Sequence, residues 1–165
     1  MNIDNNQLRQ YIENTADLME EHGLPRMAGR VIGALMICTP PYLSHDELAE
    51  QLQASKGSIS MTTQLLTRVG ILERISLPGH RKHHYQLRSR LWQDLLSTSS
   101  EHIQQHRRLA DDGLHLLKDE PAEAKLRLIE LQVFSDFILE LLPEMADRWE
   151  RRRPELMEER LAQLA

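Results

Sequence analysis

The pattern of apolar and polar positions changes its period within residues 44–88. Apolar residues first recur at helical spacing in two short segments, one after Ser44 and one after Ser55. Each serine stands where an N-cap is expected, and Glu47 completes a capping box with Ser44. Gly70 follows the second segment, at a position suited to a left-handed C-terminal cap. The pattern predicts two short helices that meet at a tight turn.

After Gly70 the apolar period shortens to two, which indicates β-strands. Residues 71–77 alternate, Pro78-Gly79 interrupts the run, and His83–Leu87 is typical of a return strand. The cationic stretch His80-Arg81-Lys82 falls between the two strands. Two short helices followed by a hairpin with a basic tip form a winged helix-turn-helix.

Longer amphipathic helices are predicted on both sides of this unit. One covers residues 3–22, and a helix starting at Pro25 follows it. Another runs from Leu91 to about Lys118, and residues 122–142 carry a strongly apolar stripe. Pro143 is expected to break or kink this last helix, so that a final short helix begins near the arginine run 151–153.

The predicted fold is therefore mainly α (α+β), with a winged helix-turn-helix and a small β-hairpin wing. Three segments follow from the pattern: an N-terminal dimerisation helix at 1–22, a DNA-binding domain at 23–90 and a C-terminal helical dimerisation region at 91–165. The stripe at 122–142 is too apolar for a solvated helix, so it must pack against the chain or against a second copy.

Charge is divided unevenly among these segments. The net charge of the chain is −5, yet residues 23–90 carry +5, whereas residues 1–22 carry −4 and residues 91–165 carry −6. The positive charge is concentrated in the winged-helix stretch, which is what contact with DNA phosphates requires.

Four stretches of the chain resemble the MarR superfamily of winged-helix repressors and, more narrowly, its GbsR-like branch. These are GLPRMAGRVIGAL at 23–35, PPYLSHDELAEQL at 40–52, SKGSISM at 55–61 and LPGHRKHHY at 77–85. The resemblance implies a homodimeric transcriptional regulator, a repressor of a palindromic operator, in which terminal helices interleave across a two-fold axis. It also implies release by a small-molecule effector.

The second short helix is the natural one to enter the major groove, because its free face carries small, polar and cationic residues. The residues predicted to face the groove are Lys56, Ser58, Ser60, Met61, Gln64 and Arg68. Arg81 and Lys82 are predicted to contact DNA from the wing. The alternative is a winged-helix module that docks an acidic protein partner. Met61 is the only large apolar residue on the free face, which favours double-stranded DNA.

Two further sets of residues are candidate ligand sites. The resemblance to the GbsR-like branch implies a quaternary ammonium effector, a class of ligand that binds in aromatic cages. Tyr42, Trp92 and Phe134 are therefore candidates for an effector site, although core packing is the more common role of such rings. His102 and His106 are four residues apart on one helix, but no third ligand stands at a diagnostic spacing. We therefore predict no metal and no cofactor.

Several other classes of protein are disfavoured. There is no Gly-rich phosphate loop, no GxSxG motif and no Cys–His pair at a catalytic spacing, so an enzyme is not expected. Cys38 is the only cysteine, and no signal peptide or membrane span is recognisable, so we expect a cytoplasmic protein without a membrane partner. Arg26 and Arg30 share one helix face, where they either touch the DNA backbone or lie on a solvated surface.

Overall fold

The computed structural model describes residues 5–78 and 82–164, without the side chains of residues 92–98. The chain divides into two compact units, Met1–Leu91 and Trp92–Ala165. The first unit contains α1 (Asn5–Glu21), α2 (Arg26–Ile37), β1 (Leu43–Ser44), α3 (His45–Gln51), α4 (Lys56–Arg68), β2 (Leu72–Ser76) and β3 (His83–Leu87). Two long helices follow, α5 (Leu91–Leu116) and α6 (Ala122–Leu164).

Local capping interactions define the helix-turn-helix. The Glu47 N–H donates to Ser44 Oγ at 3.3 Å and the Ser44 N–H donates to Glu47 Oε2 at 2.6 Å, so the predicted capping box is confirmed. Ser55 Oγ accepts from the Ser58 N–H at 3.1 Å and caps α4. Gln53 turns the chain between α3 and α4 with φ +49°, and Gly70 follows α4 with φ +78°. Both residues use the left-handed region that a sharp reversal needs.

The sheet has the order β1-β3-β2, and both pairings are antiparallel. The hairpin β2–β3 confirms the predicted wing strands, with Leu72 opposite Leu87 and Ser76 opposite His83. β1 was not predicted. Its two residues pair with Tyr85 and His84, and a segment this short has no detectable period.

The core of the first unit lies between α1, α2, α3, α4 and the sheet. Its most buried side chains include Val31, Leu48, Ile59, Leu66 and Leu72. The helical spacing of Ile59, Leu66 and Val69 predicts that Val69 lies on the buried face of α4, and this prediction is wrong. Val69 is the C-cap of α4, where the helix ends, and its side chain is 51% exposed.

Two glycines of α2 allow α1 to approach closely. A Cβ at Gly29 would lie 2.6 Å from the Ala16 Cα, and a Cβ at Gly33 would lie 3.0 Å from the Thr15 Cβ. These separations are well below ordinary carbon–carbon contact at about 3.5–4.0 Å. The glycines therefore permit the close helix packing that their four-residue spacing allows.

The second unit is an antiparallel pair of helices. Arg107 of α5 pairs with Asp136 of α6 at 2.6 Å and also with Asp111, while Gln132 donates to Asp111 at 2.7 Å. A Cβ at Gly113 would lie 2.8 Å from Leu128 Cδ1, and the two other small residues at the contact, Ala110 and Ser135, are fully buried. Small residues therefore bring α5 and α6 together.

The prediction that a separate short helix begins near residues 151–153, after a break at Pro143, is wrong. α6 is continuous from Ala122 to Leu164 and contains both Pro143 and Pro154. Each proline removes one backbone donor, but both are exposed, so a carbonyl that loses its donor beside them can be hydrated. Within the described residues, no helix is both long enough and apolar enough to cross a membrane.

Candidate nucleic-acid interface

α4 is buried on one side and exposed on the other. Ile59, Thr62, Thr63 and Leu66 face the core, and the Thr63 hydroxyl donates to the Ile59 carbonyl at 2.9 Å. The exposed side therefore presents the residues between these core positions, which is the face a groove-reading helix offers.

The structure places the predicted α4 residues on or beside this exposed face. Lys56, Met61, Gln64 and Arg68 are exposed, and Met61 is exposed to 71%. The two serines, 58 and 60, are half-buried. Ser60 Oγ accepts from Gln64 Nε2 at 3.2 Å, so the Gln64 amide is held by its own helix and stays available at the surface.

One carboxylate joins α4 to the wing. Asp46 Oδ1 lies 2.7 Å from Lys56 Nζ, and Asp46 Oδ2 lies 2.5 Å from Lys82 Nζ. The ion pairs with Lys56 and then with Lys82 lower the pKa of Asp46 to about 2. The structure thus brings together two predicted DNA contacts, which lie 26 residues apart in sequence, through an acid that sequence reasoning missed.

A surface groove of about 450 Å³ lies between α4 and the hairpin. It is lined by Thr63, Gln64, Thr67, Arg68, Arg74 and Tyr85. Arg74 is exposed on β2, so the groove adds a cation to the predicted set. The alternating pattern of residues 71–77 places Arg74 on the side of its strand opposite the apolar side. This pattern is the signal that could have identified Arg74 as a surface cation near α4.

The rest of the wing has an ordered base. Glu73 accepts from Gln86 at 2.6 Å across the hairpin, and buried His84 meets the Tyr42 ring edge-on at a centroid distance of 5.4 Å. Residues 79–81 lie outside the described residues, and the predicted contact Arg81 is among them.

The side chains of Arg26 and Arg30 form contacts within the first unit. Arg26 pairs with Asp17 at 2.5 Å, with Glu13 at 2.7 Å and with Glu20 at 3.3 Å, and these acids raise its pKa. Arg30 forms an ion pair with Glu13 at 2.8 Å and donates to the Leu52 carbonyl at 3.1 Å. The contacts correspond to neither of the two roles left open for these arginines, because both side chains pair within the first unit, with α1 and the end of α3.

The effector candidates fall in different units. Tyr42 is half-buried against His84 in the first unit, and Phe134 is 55% exposed in the second. The side chain of Trp92 lies outside the described residues. Their role as an effector site stays a prediction.

Among the described residues, no group of three His, Cys, Asp or Glu side chains is placed to hold a metal ion. His102 and His106 are both exposed on α5.

The chain is similar to several known transcriptional regulators. A family model described as an MmpR5-like MarR family transcriptional regulator matches residues 90–152. The HTH-type transcriptional regulator MmpR5 of Mycobacterium tuberculosis (strain ATCC 25618 / H37Rv) is 29% identical over 148 residues, which cover 90% of each chain. A crystal structure of a transcriptional regulator has a TM-score of 0.74 and 29% identity, and covers 88% of this chain and 99% of its own.

These matches support a MarR-like winged-helix transcriptional regulator. A further relative, the putative HTH-type transcriptional regulator YvaV of Bacillus subtilis (strain 168), is 26% identical over 140 residues, 77% of this chain and 78% of its own. The regulator's relatives support DNA binding. The family model and the relatives that the chain matches are transcriptional regulators and not enzymes, so the prediction that the chain is not an enzyme is confirmed.

Proposed function

We propose that the regulator is a cytoplasmic repressor that binds a palindromic operator as a homodimer, through α4 and the wing of each copy. The observation that carries this proposal is the exposed face of α4, where polar and cationic side chains stand next to Lys82 of the wing. A face of this kind is suited to DNA, since phosphates supply affinity and base edges supply specificity.

The residues of α4 divide into those that read bases and those that bind the backbone. Gln64 has the amide geometry that pairs with adenine, and Met61 can contact a thymine methyl group. Arg68 and Arg74, which share the groove between α4 and the hairpin, can reach guanine or phosphate. Lys56, Lys82 and the predicted wing residue Arg81 would bind phosphate, with Ser58 and Ser60 allowing α4 to approach the groove.

The homodimer is supported by the surface of α6. Large apolar residues are exposed along this helix: Leu126, Ile129, Val133, Phe134, Phe137 and Met145. Several of them recur three or four residues apart, so they share a side of the helix away from fully buried Ser135. An apolar stripe of this length favours a partner, and a second copy is the partner that a palindrome requires, because a two-fold axis would hold two α4 helices about 34 Å apart.

The dimerisation role of segments 1–22 and 91–165, flanking the DNA-binding segment 23–90, is part of this proposal. α1 packs on α2 through buried Ile12 and Ala16, and exposes Leu18, which is available to a partner. Release by a small-molecule effector and membership of the GbsR-like branch are further parts, for which the resemblance of residues 23–85 is the support. Tyr42, Trp92 and Phe134 are the candidate effector residues.

The test is fluorescence anisotropy of the purified regulator with a duplex from the region upstream of its own gene and with a scrambled duplex, over a range of salt concentrations. Tighter, salt-dependent binding to the native duplex is expected. Equal weak binding to both duplexes would contradict the proposal and would favour an acidic protein partner.

A pair of variants tests the interface itself. Lys82→Gln should reduce the slope of log affinity against log salt by about 0.9, the value for one phosphate that is no longer neutralised. Lys118→Gln removes the same charge from the α5–α6 connection and should leave the slope unchanged. Equal slopes for the two variants would show that the wing does not contact DNA.

A further inference from the structure

Asp46 forms ion pairs with both lysines that the proposed function assigns to the DNA backbone. Its two carboxylate oxygens face different partners, Lys56 of α4 at 2.7 Å and Lys82 of the wing at 2.5 Å. The three side chains are exposed to 40%, 75% and 68%, in the order Asp46, Lys56, Lys82. A carboxylate held between two ammonium groups presents two oxygens and one negative charge to them, as a DNA phosphate would.

Two roles are conceivable for such a bridge, and the exposure of its members decides between them. A positioning role would require that the ion pairs hold the lysines rigidly in a geometry that suits DNA. Exposed ion pairs contribute little to stability, and a lysine on a flexible four-carbon chain is only weakly fixed by one. The larger effect of Asp46 is therefore electrostatic, because it cancels one of two positive charges at the proposed DNA surface.

We propose that Asp46 is an affinity-limiting residue, which competes with a backbone phosphate of DNA for Lys56 and Lys82. This inference rests on the proposed function, since it assumes that the two lysines face DNA. A DNA phosphate must either displace the Asp46 carboxylate or share the two lysines with it. In either case the net attraction between the lysines and the phosphate is weaker than it would be without the carboxylate. Because phosphate binding is independent of sequence, the effect should be the same on any duplex.

The test is Asp46→Asn, which keeps the shape of the side chain and removes its charge. We expect binding about three- to tenfold tighter at 0.1 M salt, with a salt slope steeper by about 0.9, the effect of neutralising one more phosphate. The increase in affinity should be equal on the native and the scrambled duplex. The matched control is Glu50→Gln on the same helix, whose side chain forms no ion pair with any described residue and whose loss should change affinity by less than the Asp46 variant does.

A double-mutant cycle adds a readout that a structural role would not produce. Lys56→Gln should cost more affinity in the Asp46→Asn background than in the wild type, because the lysine is no longer neutralised there. A thermal unfolding curve for each variant verifies that the fold is intact.

The outcomes separate this inference from the proposed function. If the wild type does not prefer the native duplex, the proposed function fails and the inference falls with it. If the wild type binds as proposed but Asp46→Asn binds more weakly, Asp46 positions the lysines and the inference alone is wrong. Equal increases in affinity for the Asp46 and Glu50 variants would also overturn it, because net charge would then explain the change.

Discussion

Replacing Gly29 by alanine should destabilise the first unit by forcing α1 away from α2. The new Cβ would lie 2.6 Å from the Ala16 Cα, 3.0 Å from the Met19 Cβ and 3.1 Å from the Ala16 carbonyl oxygen. An ordinary contact between carbon atoms is about 3.5–4.0 Å, so the helices would have to separate by roughly 1 Å. Two of these three atoms belong to the backbone and cannot turn aside.

Two opposing terms set the size of the effect. Overpacking a core costs about 1–3 kcal/mol, and the upper end applies here because backbone atoms are in the way. Alanine is better than glycine inside a helix by about 1 kcal/mol, which offsets part of this cost. The free energy of unfolding should therefore fall by about 2 kcal/mol, the difference of those two values.

Urea unfolding followed by circular dichroism measures this difference. All variants are compared at one protein concentration, because the stability of a self-associating protein depends on its concentration. The control is Gly57→Ala in the first turn of α4, where the nearest atom to the new Cβ is Ser55 Oγ at 4.0 Å, so only the gain from helix propensity, up to about 1 kcal/mol, is expected. If Gly29→Ala increased stability, as helix propensity alone predicts, the inferred close packing of α1 on α2 would be refuted.

Three further predictions concern the interface, assembly and pH. Gln64→Ala should reduce discrimination at one base pair by about 1–3 kcal/mol without altering the salt slope, and competition between single-base variants of the operator measures this. Phe137→Glu should convert the proposed dimer to a monomer in sedimentation equilibrium. Val69→Glu, which also places a glutamate at an exposed apolar site but in the first unit, should not. A dimeric Phe137 variant would exclude that part of α6 from the interface. Asp46 has its pKa lowered from 3.8 to about 2 by its lysine partners, so its contribution to stability is present above pH 3.8 and is lost as the pH falls through 2. The difference in melting temperature between wild type and Asp46→Asn should be constant from pH 5 to 8, and a difference that changed across that range would show that another group titrates.

Much of the first unit was predictable because its signals are local. Ser44 and Glu47 are three residues apart, and Ser55 caps the N–H of a residue three positions on, so the pattern of the chain contains both interacting partners. The change of period after Gly70 predicted β2 and β3 for the same reason, since neighbouring side chains of a strand alternate between faces.

Long-range features of the site were not predictable. Asp46 meets a lysine 36 residues away, and no pattern along the chain indicates which acid a wing lysine will find. The wing carries no acid of its own beside Arg81, so the partner of its neighbouring lysine comes from α3. At Pro143 the local signal itself was misleading. Proline is a strong signal for a helix end, yet α6 continues through it.

The order of strands in the sheet has a consequence for how the chain can fold. The central strand, β3, is the last of the three to be synthesised, and each of the other two pairs only with it. When the chain has been made as far as residue 82, β1 and β2 are both without a hydrogen-bonding partner in this sheet, although every helix of the first unit up to α4 is complete. The backbone groups of β1 and β2 thus depend on the same five residues, 83–87, for their hydrogen bonds in the sheet. A nascent or truncated chain that stops before His83 would expose the edges of both strands to other chains. Formation of the wing hairpin is therefore the step that completes the sheet and gives β1 and β2 their shared partner.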